Sequence, residues 1–278
     1  MHGSMNTNAH SAGSASREDH APAAMELSFL DEEQNATFDE DYHLGTELDQ
    51  KIATLRSLFP DGPGTLLDIG GGNGRFLDRL LDAFPSARGT NVDISELLLS
   101  RNAAHPRKVT VHGSAHQLPT LLAGQTFDVV TINWVLHHFV GPSYRASLAN
   151  VRGALSMAAS MLAPGGVIVV AENMVDGFLD SDLPSRVIFG ITANQHPGLV
   201  RLARRWFNTA GVGVCFHSQR GWDRLFRDSA LATRDFYLGE VWPDRLPKRL
   251  ALAALGIARR RHGHYFLAPA GRASVDCS

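Results

Sequence analysis

The chain has 278 residues, of which 44% are hydrophobic and 19% are charged, so it is long enough for one elaborated domain with a substantial core. Its formal net charge of −2 provides no overall basic field, which argues against nucleic acid or an anionic membrane as a partner. No apolar run reaches membrane-spanning length, and Cys215 and Cys277 show neither a disulfide-rich nor a metal-binding spacing. We therefore expect a cytoplasmic protein without a metal site.

The first part of the chain precedes any strand pattern. Residues 1–24 contain almost no large apolar side chains, and we expect a disordered tail there. Apolar residues recur at helical spacing over 44–59, within a predicted N-terminal cap element of residues 25–60. A run rich in proline and glycine ends this helix, and the main domain is predicted to occupy 61–278.

Short apolar runs then alternate with helical patterns. Strands are predicted at 65–69, 88–94, 109–113, 127–134 and 167–173. Helices are predicted at about 76–84, 96–104 and 143–163. This alternation is typical of a doubly wound, Rossmann-like α/β fold with a mostly parallel sheet that is covered on both faces.

The order changes after the fifth strand. Residues 177–216 are predicted to be a helical insertion, which together with 25–60 would cap the carboxyl edge of the sheet, where ligands bind in such folds. The remaining predictions are a helix at 220–231, a strand at 233–242, a helix around 246–261 and a strand at 262–269. The late basic residues are expected to lie on a solvated helix face; they are Arg245, Lys248, Arg249 and Arg259-Arg260-Arg261.

A glycine-rich turn, Asp68-Ile69-Gly70-Gly71-Gly72-Asn73-Gly74, follows the first strand. Such a turn lets a ligand approach the backbone closely. It departs from the dinucleotide fingerprint because Arg75 stands at the sixth position and the third glycine comes one residue early. The Asp68 carboxylate would repel a pyrophosphate but attract a ligand with an ammonium and a sulfonium group. Asp93, at the end of the second strand, can accept hydrogen bonds from ribose hydroxyls.

Five segments occur in a fixed order over about 65–173: LLDIGGGNGRF, NVDIS, GSAHQLP, FDVVTINWVLHHF and LAPGGVIVVAENM. Together they resemble the successive motifs of the class I S-adenosylmethionine (SAM)-dependent methyltransferases. The resemblance implies a seven-stranded sheet with an antiparallel last strand, SAM as the cofactor and a small-molecule methyl acceptor as the partner. It leaves the oligomeric state open.

The resemblance also implies roles for individual residues. At the methionine end of SAM, the resemblance places Asp68, Gly70 and Asn133, while Gly72 and Gly74 would shape the turn. Asp93 would bind the ribose. Ile94 would stack on the adenine ring, and Ser114 and Ala115 would face the edge of that ring. One residue departs from the family pattern: Ser114 stands where an aspartate is frequent, so its contact to adenine would lack a full charge.

An acceptor that carries a proton needs a base in addition to alignment with the methyl group. Candidates near the carboxyl edge are His137, His138, Glu172, His196 and His217. For the two adjacent histidines, packing or cofactor support is an alternative role. The sequence favours O- or N-methylation of a small molecule. Alternatives are a nucleic-acid methyltransferase, against which the net charge and the Asn133–Leu136 segment argue, and a SAM-binding protein without methyl transfer.

Overall fold

The computed structural model describes residues 45–179, 182–204 and 209–271. The predicted tail of residues 1–24 and the first part of the predicted cap element lie outside this range. The helices are α1 (Thr46–Leu58), α2 (Arg75–Ala83), α3 (Glu96–Leu99), α4 (Leu118–Leu121), α5 (Tyr144–Ser160), α6 (Leu183–Thr192), α7 (Pro197–Ala203), α8 (Gln219–Asp228) and α9 (Leu246–Ala254). The strands are β1 (Thr65–Ile69), β2 (Arg88–Asp93), β3 (Lys108–His112), β4 (Phe127–Asn133), β5 (Leu162–Gly177), β6 (Leu231–Leu238) and β7 (Ile257–Pro269).

The seven strands form one sheet in the order β3-β2-β1-β4-β5-β7-β6. Strands β1 to β5 pair in parallel, whereas β7 runs antiparallel to both β5 and β6. The predicted doubly wound α/β fold and its antiparallel last strand are therefore confirmed. Because β1 and β4 lie side by side at the centre, the loops that follow them emerge together at the carboxyl edge.

Apolar side chains cover both faces of the sheet. On one face, Leu55 of α1 and Leu77 of α2 pack with Val129 and Phe266. On the other face, Leu155 of α5 and Trp222 and Phe226 of α8 pack with central strand residues. Burial on two sides explains why the central strands are almost continuously apolar. Among the described helices, none is both long enough and apolar enough to cross a membrane.

Two predicted helices are shorter than their sequence patterns suggest. The helix predicted around 246–261 ends at Ala254, because Gly256 adopts a positive φ of 77° and residues from Ile257 onward belong to β7. The helix predicted at 96–104 comprises only α3, after which Asn102 turns its side chain back to the glycine-rich turn.

The predicted solvated helix face is wrong for the arginine triplet. Arg259, Arg260 and Arg261 lie in β7 and pair with acidic side chains instead. Arg261 and Arg259 contact the Asp176 carboxylate at 2.9 and 3.5 Å, and Arg260 pairs with Asp244. These contacts neutralise much of the basic charge locally.

Candidate active site

The glycine-rich turn between β1 and α2 is fixed to the neighbouring strand. The Gly70 N–H donates to Val92 O at 2.7 Å, and the Gly72 N–H donates to Asp93 Oδ2 at 2.8 Å. Gly72 and Gly74 have φ values of 53° and 72°, which residues other than glycine rarely adopt. The sequence therefore needs glycine at these positions to turn from β1 directly into α2.

The turn forms a tight cradle. A Cβ atom at Gly70 would lie 2.5 Å from Val135 Cγ2, and one at Gly71 would lie 2.0 Å from Asn91 Oδ1. No side chain fits at either position, so the backbone stays bare at the carboxyl edge of β1. A bare backbone at this edge allows a ligand to approach closely.

Two asparagines that the sequence analysis missed hold the turn from behind. Asn91 Nδ2 and Asn102 Nδ2 donate to Gly72 O at 3.1 and 2.8 Å, and the two side chains bond each other. In the sequence, the signal for this role was an asparagine within the predicted strand β2; in the structure, the Asn91 side chain is fully buried. A buried amide is normally there to satisfy other polar groups.

Asp93 lies at the end of β2 and is mostly buried. Its Oδ2 accepts from the Gly72 N–H and its Oδ1 accepts from the Ser95 N–H at 2.8 Å. Burial raises the pKa of Asp93 above its usual value. Each carboxylate oxygen can accept two hydrogen bonds, so the same carboxylate can position the turn and still accept ribose hydroxyls.

The neighbours of Asp93 suit a flat, apolar ligand. The Ile94 side chain is 41% exposed beside the turn, which is unusual for isoleucine. Ser114 and Ala115 are buried after β3, and the Ser114 hydroxyl donates to Gln117 Oε1 at 2.9 Å. The hydroxyl hydrogen of Ser114 is therefore used in a hydrogen bond within its own turn, whereas the hydroxyl oxygen can still accept a hydrogen bond from a ligand.

Asp68 lies at the centre of the site, buried between β2 and β4. Thr131 Oγ1 donates to its Oδ1 at 2.6 Å, whereas its Oδ2 makes no hydrogen bond within the described residues. Burial raises the pKa of Asp68 to about 6. A buried carboxylate oxygen without a donor is costly, and an incoming cationic group would compensate it.

Lys51 of α1 is a second site residue that the sequence analysis missed. Its side chain is buried, and its Nζ donates to Asn133 Oδ1 at 3.0 Å, between the rings of Phe76 and Trp134. Burial lowers the pKa of Lys51 to about 7. The signal was its spacing, because position 51 lies on the same helix face as Leu48 and Leu55, where a lysine is unexpected.

The chain turns sharply where β4 ends. Trp134 directly follows Asn133 and adopts a positive φ of 54°, a strained conformation for a side chain of this size. This backbone conformation turns the chain into the segment that carries His137 and His138. Backbone strain of this kind is common at functional sites.

His137 and Glu172 form a buried pair at the carboxyl ends of β4 and β5. His137 Nδ1 donates to Glu172 Oε2 at 2.6 Å. Glu172 Oε1 accepts from the Leu136 N–H at 2.7 Å and, more weakly, from the His137 N–H at 3.4 Å. Glu172 therefore fixes both the loop after β4 and the orientation of the His137 ring.

The three other candidate histidines occupy different surroundings. Burial lowers the pKa of His138 well below its usual value and that of His217 to about 4, so both are neutral near pH 7. His217 Nδ1 lies 3.4 Å from Ser185 Oγ, and its Nε2 makes no hydrogen bond within the described residues. His196 lies exposed at the start of α7. The structure thus brings His137, His138, Glu172 and His217 to one region and leaves His196 outside it.

Residues 67–168 match a family model described as a methyltransferase domain. The match covers the glycine-rich turn, the Asp93 strand end and the loop after β4. Over residues 67–168 the chain is therefore similar to methyltransferase domains.

Curated relatives match the methyltransferase domain over a part of their length. A ubiquinone/menaquinone biosynthesis C-methyltransferase, UbiE, of Cereibacter sphaeroides is 33% identical over 129 residues, which cover 44% of this chain and 47% of the relative. The O-methyltransferase aclM of Aspergillus oryzae is 29% identical over 126 residues, or 42% of this chain and 28% of the relative. The chain spans less than half the length of these relatives.

The fold of the methyltransferase domain recurs in solved structures. A SAM-dependent methyltransferase of Leishmania major superposes with a TM-score of 0.52 at 18% identity, and the match covers 80% of this chain and 71% of that one. At this identity the similarity establishes the shared fold.

Proposed function

We propose that this chain transfers the methyl group of SAM to an oxygen or nitrogen atom of a small-molecule acceptor. The observation that carries the proposal is the bare glycine cradle flanked by two buried carboxylates, Asp68 and Asp93. Asp68 Oδ2 has no donor within the described residues, and neither Gly70 nor Gly71 can carry a side chain that would cover the backbone. These features fit a ligand with an ammonium group at one end and a ribose at the other.

Different residues of the cradle would bind different parts of SAM. Asp68 would hold the ammonium of the methionine moiety, with Asn133 and Lys51 beside it. Asp93 would accept the ribose hydroxyls, and Ile94 would cover the adenine ring, whose edge Ser114 and Ala115 would face. When bound, SAM supplies a methyl group on a positively charged sulfur. The protein's task is then to align the acceptor and to exclude water.

We assign proton removal to His137. Its Nδ1–H is held by Glu172, so the Nε2 atom carries the lone pair that can accept a proton from an acceptor hydroxyl. Glu172 acts through His137 as a positioning residue, because its oxygens are already engaged by donors. His217, buried and neutral, is the second candidate for the base, and the insertion of residues 177–216 is the proposed wall of the acceptor pocket.

We do not propose a nucleic-acid acceptor. Lys248 and Arg260 share Asp244, and Arg259 and Arg261 share Asp176, so two carboxylates halve the positive charge that these four side chains could offer to phosphates. A cytoplasmic location stays a prediction from the cysteine pattern.

The proposal is tested in two steps. Calorimetry should show binding of S-adenosylhomocysteine and none of NAD, since the carboxylate of Asp68 repels a pyrophosphate. A library of hydroxylated, amino-bearing and quinone-type small molecules is then incubated with SAM and screened for a mass gain of one methylene unit. Binding of NAD in preference to S-adenosylhomocysteine would refute the cofactor assignment.

A further inference from the structure

Helix α1 and strand β7 bring together one carboxylate and two imidazoles, side-chain types that can bind metal ions, and the methyltransferase motifs do not include them. Glu47 Oε2 lies 3.2 Å from His262 Nδ1 and 3.3 Å from His264 Nε2. One ligand atom from each of the three residues lies within 4.8 Å of the other two. His262 and His264 are two positions apart on a strand, so both point to the sheet face that α1 covers.

The hydrogen bonds of His264 are only partly satisfied. Its side chain is completely buried, its Nε2 lies 3.3 Å from the Glu47 carboxylate, and its Nδ1 makes no hydrogen bond within the described residues. Buried polar groups normally have a hydrogen-bond partner, and an unpaired one costs free energy. A metal ion beside Glu47 would bind the Nε2 lone pair of the tautomer that carries its proton on Nδ1.

Aromatic rings hold both imidazoles in position. Tyr237 stacks on His264 with ring centroids 4.5 Å apart and an interplanar angle of 13°. His262 lies between the edges of Trp134 and Trp242, at centroid distances of 5.1 and 5.2 Å. Ligand side chains that are fixed before the ion arrives lose little conformational freedom on binding.

The donor set defines the class of ion. Two imidazoles and one carboxylate suit divalent first-row transition metals, whereas Mg²⁺ and Ca²⁺ prefer oxygen ligands alone. Around a tetrahedral Zn²⁺ with bonds of about 2.1 Å, ligand atoms are about 3.4 Å apart. The separations of Glu47 Oε2 from His262 Nδ1 and His264 Nε2, 3.2 and 3.3 Å, are close to this value.

We propose that Glu47, His262 and His264 form a binding site for a divalent first-row transition metal ion such as Zn²⁺. Three protein ligands leave the fourth position to water or to another oxygen ligand. The site lies in the same cross-strand row as Asn133, because His264 pairs with Ala171 of β5 and Ala171 pairs with Asn133 of β4. Lys51, one helical turn from Glu47, donates a hydrogen bond to the Asn133 side chain at 3.0 Å.

The metal site was invisible in the sequence for a topological reason. Glu47 and His262 are 215 positions apart, and only the packing of α1 on β7 brings them together. The His-x-His pair alone is a weak signal, because two histidines do not make a site.

The test uses the full chain after treatment with EDTA. Calorimetric titration with Zn²⁺ should give one-to-one binding with a dissociation constant of about 1 μM or tighter, and Co²⁺ should produce the visible absorption of a four-coordinate site. Glu47→Gln and His262→Asn should each weaken binding by about 100-fold. Both replace partly exposed side chains, so the variants are expected to fold, which circular dichroism and thermal unfolding verify.

The matched control is His112→Asn. His112 is an exposed histidine that pairs with Glu96 at 3.4 Å and belongs to no group of three potential metal ligands within the described residues. This variant should bind Zn²⁺ as the unmodified chain does. Unchanged affinity in folded Glu47→Gln and His262→Asn proteins, or no saturable binding in the unmodified chain, would overturn the proposal. Neither result depends on methyl transfer, so the test is independent of the proposed function.

Discussion

The Nδ1 atom of His137 lies 2.6 Å from the Oε2 atom of Glu172, and both side chains are buried at the carboxyl edge of the sheet. This one contact joins the loop after β4 to strand β5. It also fixes which nitrogen of the imidazole carries the proton, because a carboxylate can only accept.

Replacing Glu172 should therefore separate stability from turnover. Glu172→Ala leaves buried donors unpaired and should lower the free energy of unfolding by about 3–5 kcal/mol. Glu172→Gln fills the same volume but can donate to Nδ1, which would move the proton to Nε2 and reduce turnover about 100-fold or more. Denaturant unfolding and steady-state kinetics measure the two effects, with Glu96→Gln on the surface as the control. A fully active Glu172→Gln protein would contradict the orienting role.

The candidate histidines are distinguished by kinetics on the acceptor found in the product screen. His137→Ala should abolish most turnover while S-adenosylhomocysteine still binds, since the imidazole is assigned to the acceptor rather than the cofactor. His196→Ala should turn over normally, because His196 is exposed on α7. If His217→Ala is inactive and His137→Ala is active, the base is His217 and the assignment to His137 is wrong.

Asp93→Ala should weaken S-adenosylhomocysteine binding by about 1–3 kcal/mol, the scale for polar groups left unpaired. The variant loses the bond to the Gly72 N–H and the expected bonds to the ribose together. Calorimetry measures the change, with the exposed Asp49→Ala as a control of the same chemistry. Equal affinities in the two folded variants would remove Asp93 from the cofactor site.

Cofactor affinity should depend on pH through Asp68. Its pKa of about 6 means that the carboxylate is ionised above pH 6 and protonated below it. Since only the ionised form attracts an ammonium group, affinity for S-adenosylhomocysteine should fall as the pH drops, by about tenfold between about pH 8 and pH 5. Lys51 and Asp93 also act on Asp68, so the comparison is with Asp68→Asn. That variant should bind weakly at every pH; a wild-type profile as flat as that of the variant would exclude the role.

The cradle should not tolerate a single added methyl group. In Gly71→Ala the new Cβ would lie 2.0 Å from Asn91 Oδ1 and 2.4 Å from Asp68 Oδ2, so the turn must shift. We expect a loss of cofactor binding of at least about tenfold and a destabilisation of about 1–3 kcal/mol. Gly190→Ala is the control, because nothing lies within 4 Å of its Cβ and α6 should gain up to about 1 kcal/mol.

The sequence was informative where structure depends on local pattern. The alternation of apolar runs predicted β1 to β5, and the order of the motifs predicted the glycine-rich turn and the strand ends at Asp93 and Asn133. In these segments each residue meets the requirement of its own strand or turn, so that neighbouring residues suffice for the inference.

The sequence was uninformative where the role of a residue depends on a contact with a part of the chain that is distant in the sequence. Lys51 looks like one more helix residue until α1 is packed against Asn133, and Asn102 looks like a loop residue until it reaches Gly72 O. The error in the helix predicted around 246–261 has a similar cause: Arg259 and Arg261 lie in β7 because β5 pairs with them and Asp176 neutralises them.

The position of β7 has a consequence for the order in which the chain can fold during synthesis. This strand separates β5 from β6 and follows both of them in the chain, so β5 has one open edge until residues 257–269 have been synthesised. The contacts of helix α1 at Glu47 also form late, because their partners Tyr237 and His262 lie 190 and 215 positions downstream. A ribosome-bound chain that lacks β7 should therefore expose both an unpaired strand edge and the polar end of α1 at Glu47, and an exposed strand edge favours misassembly.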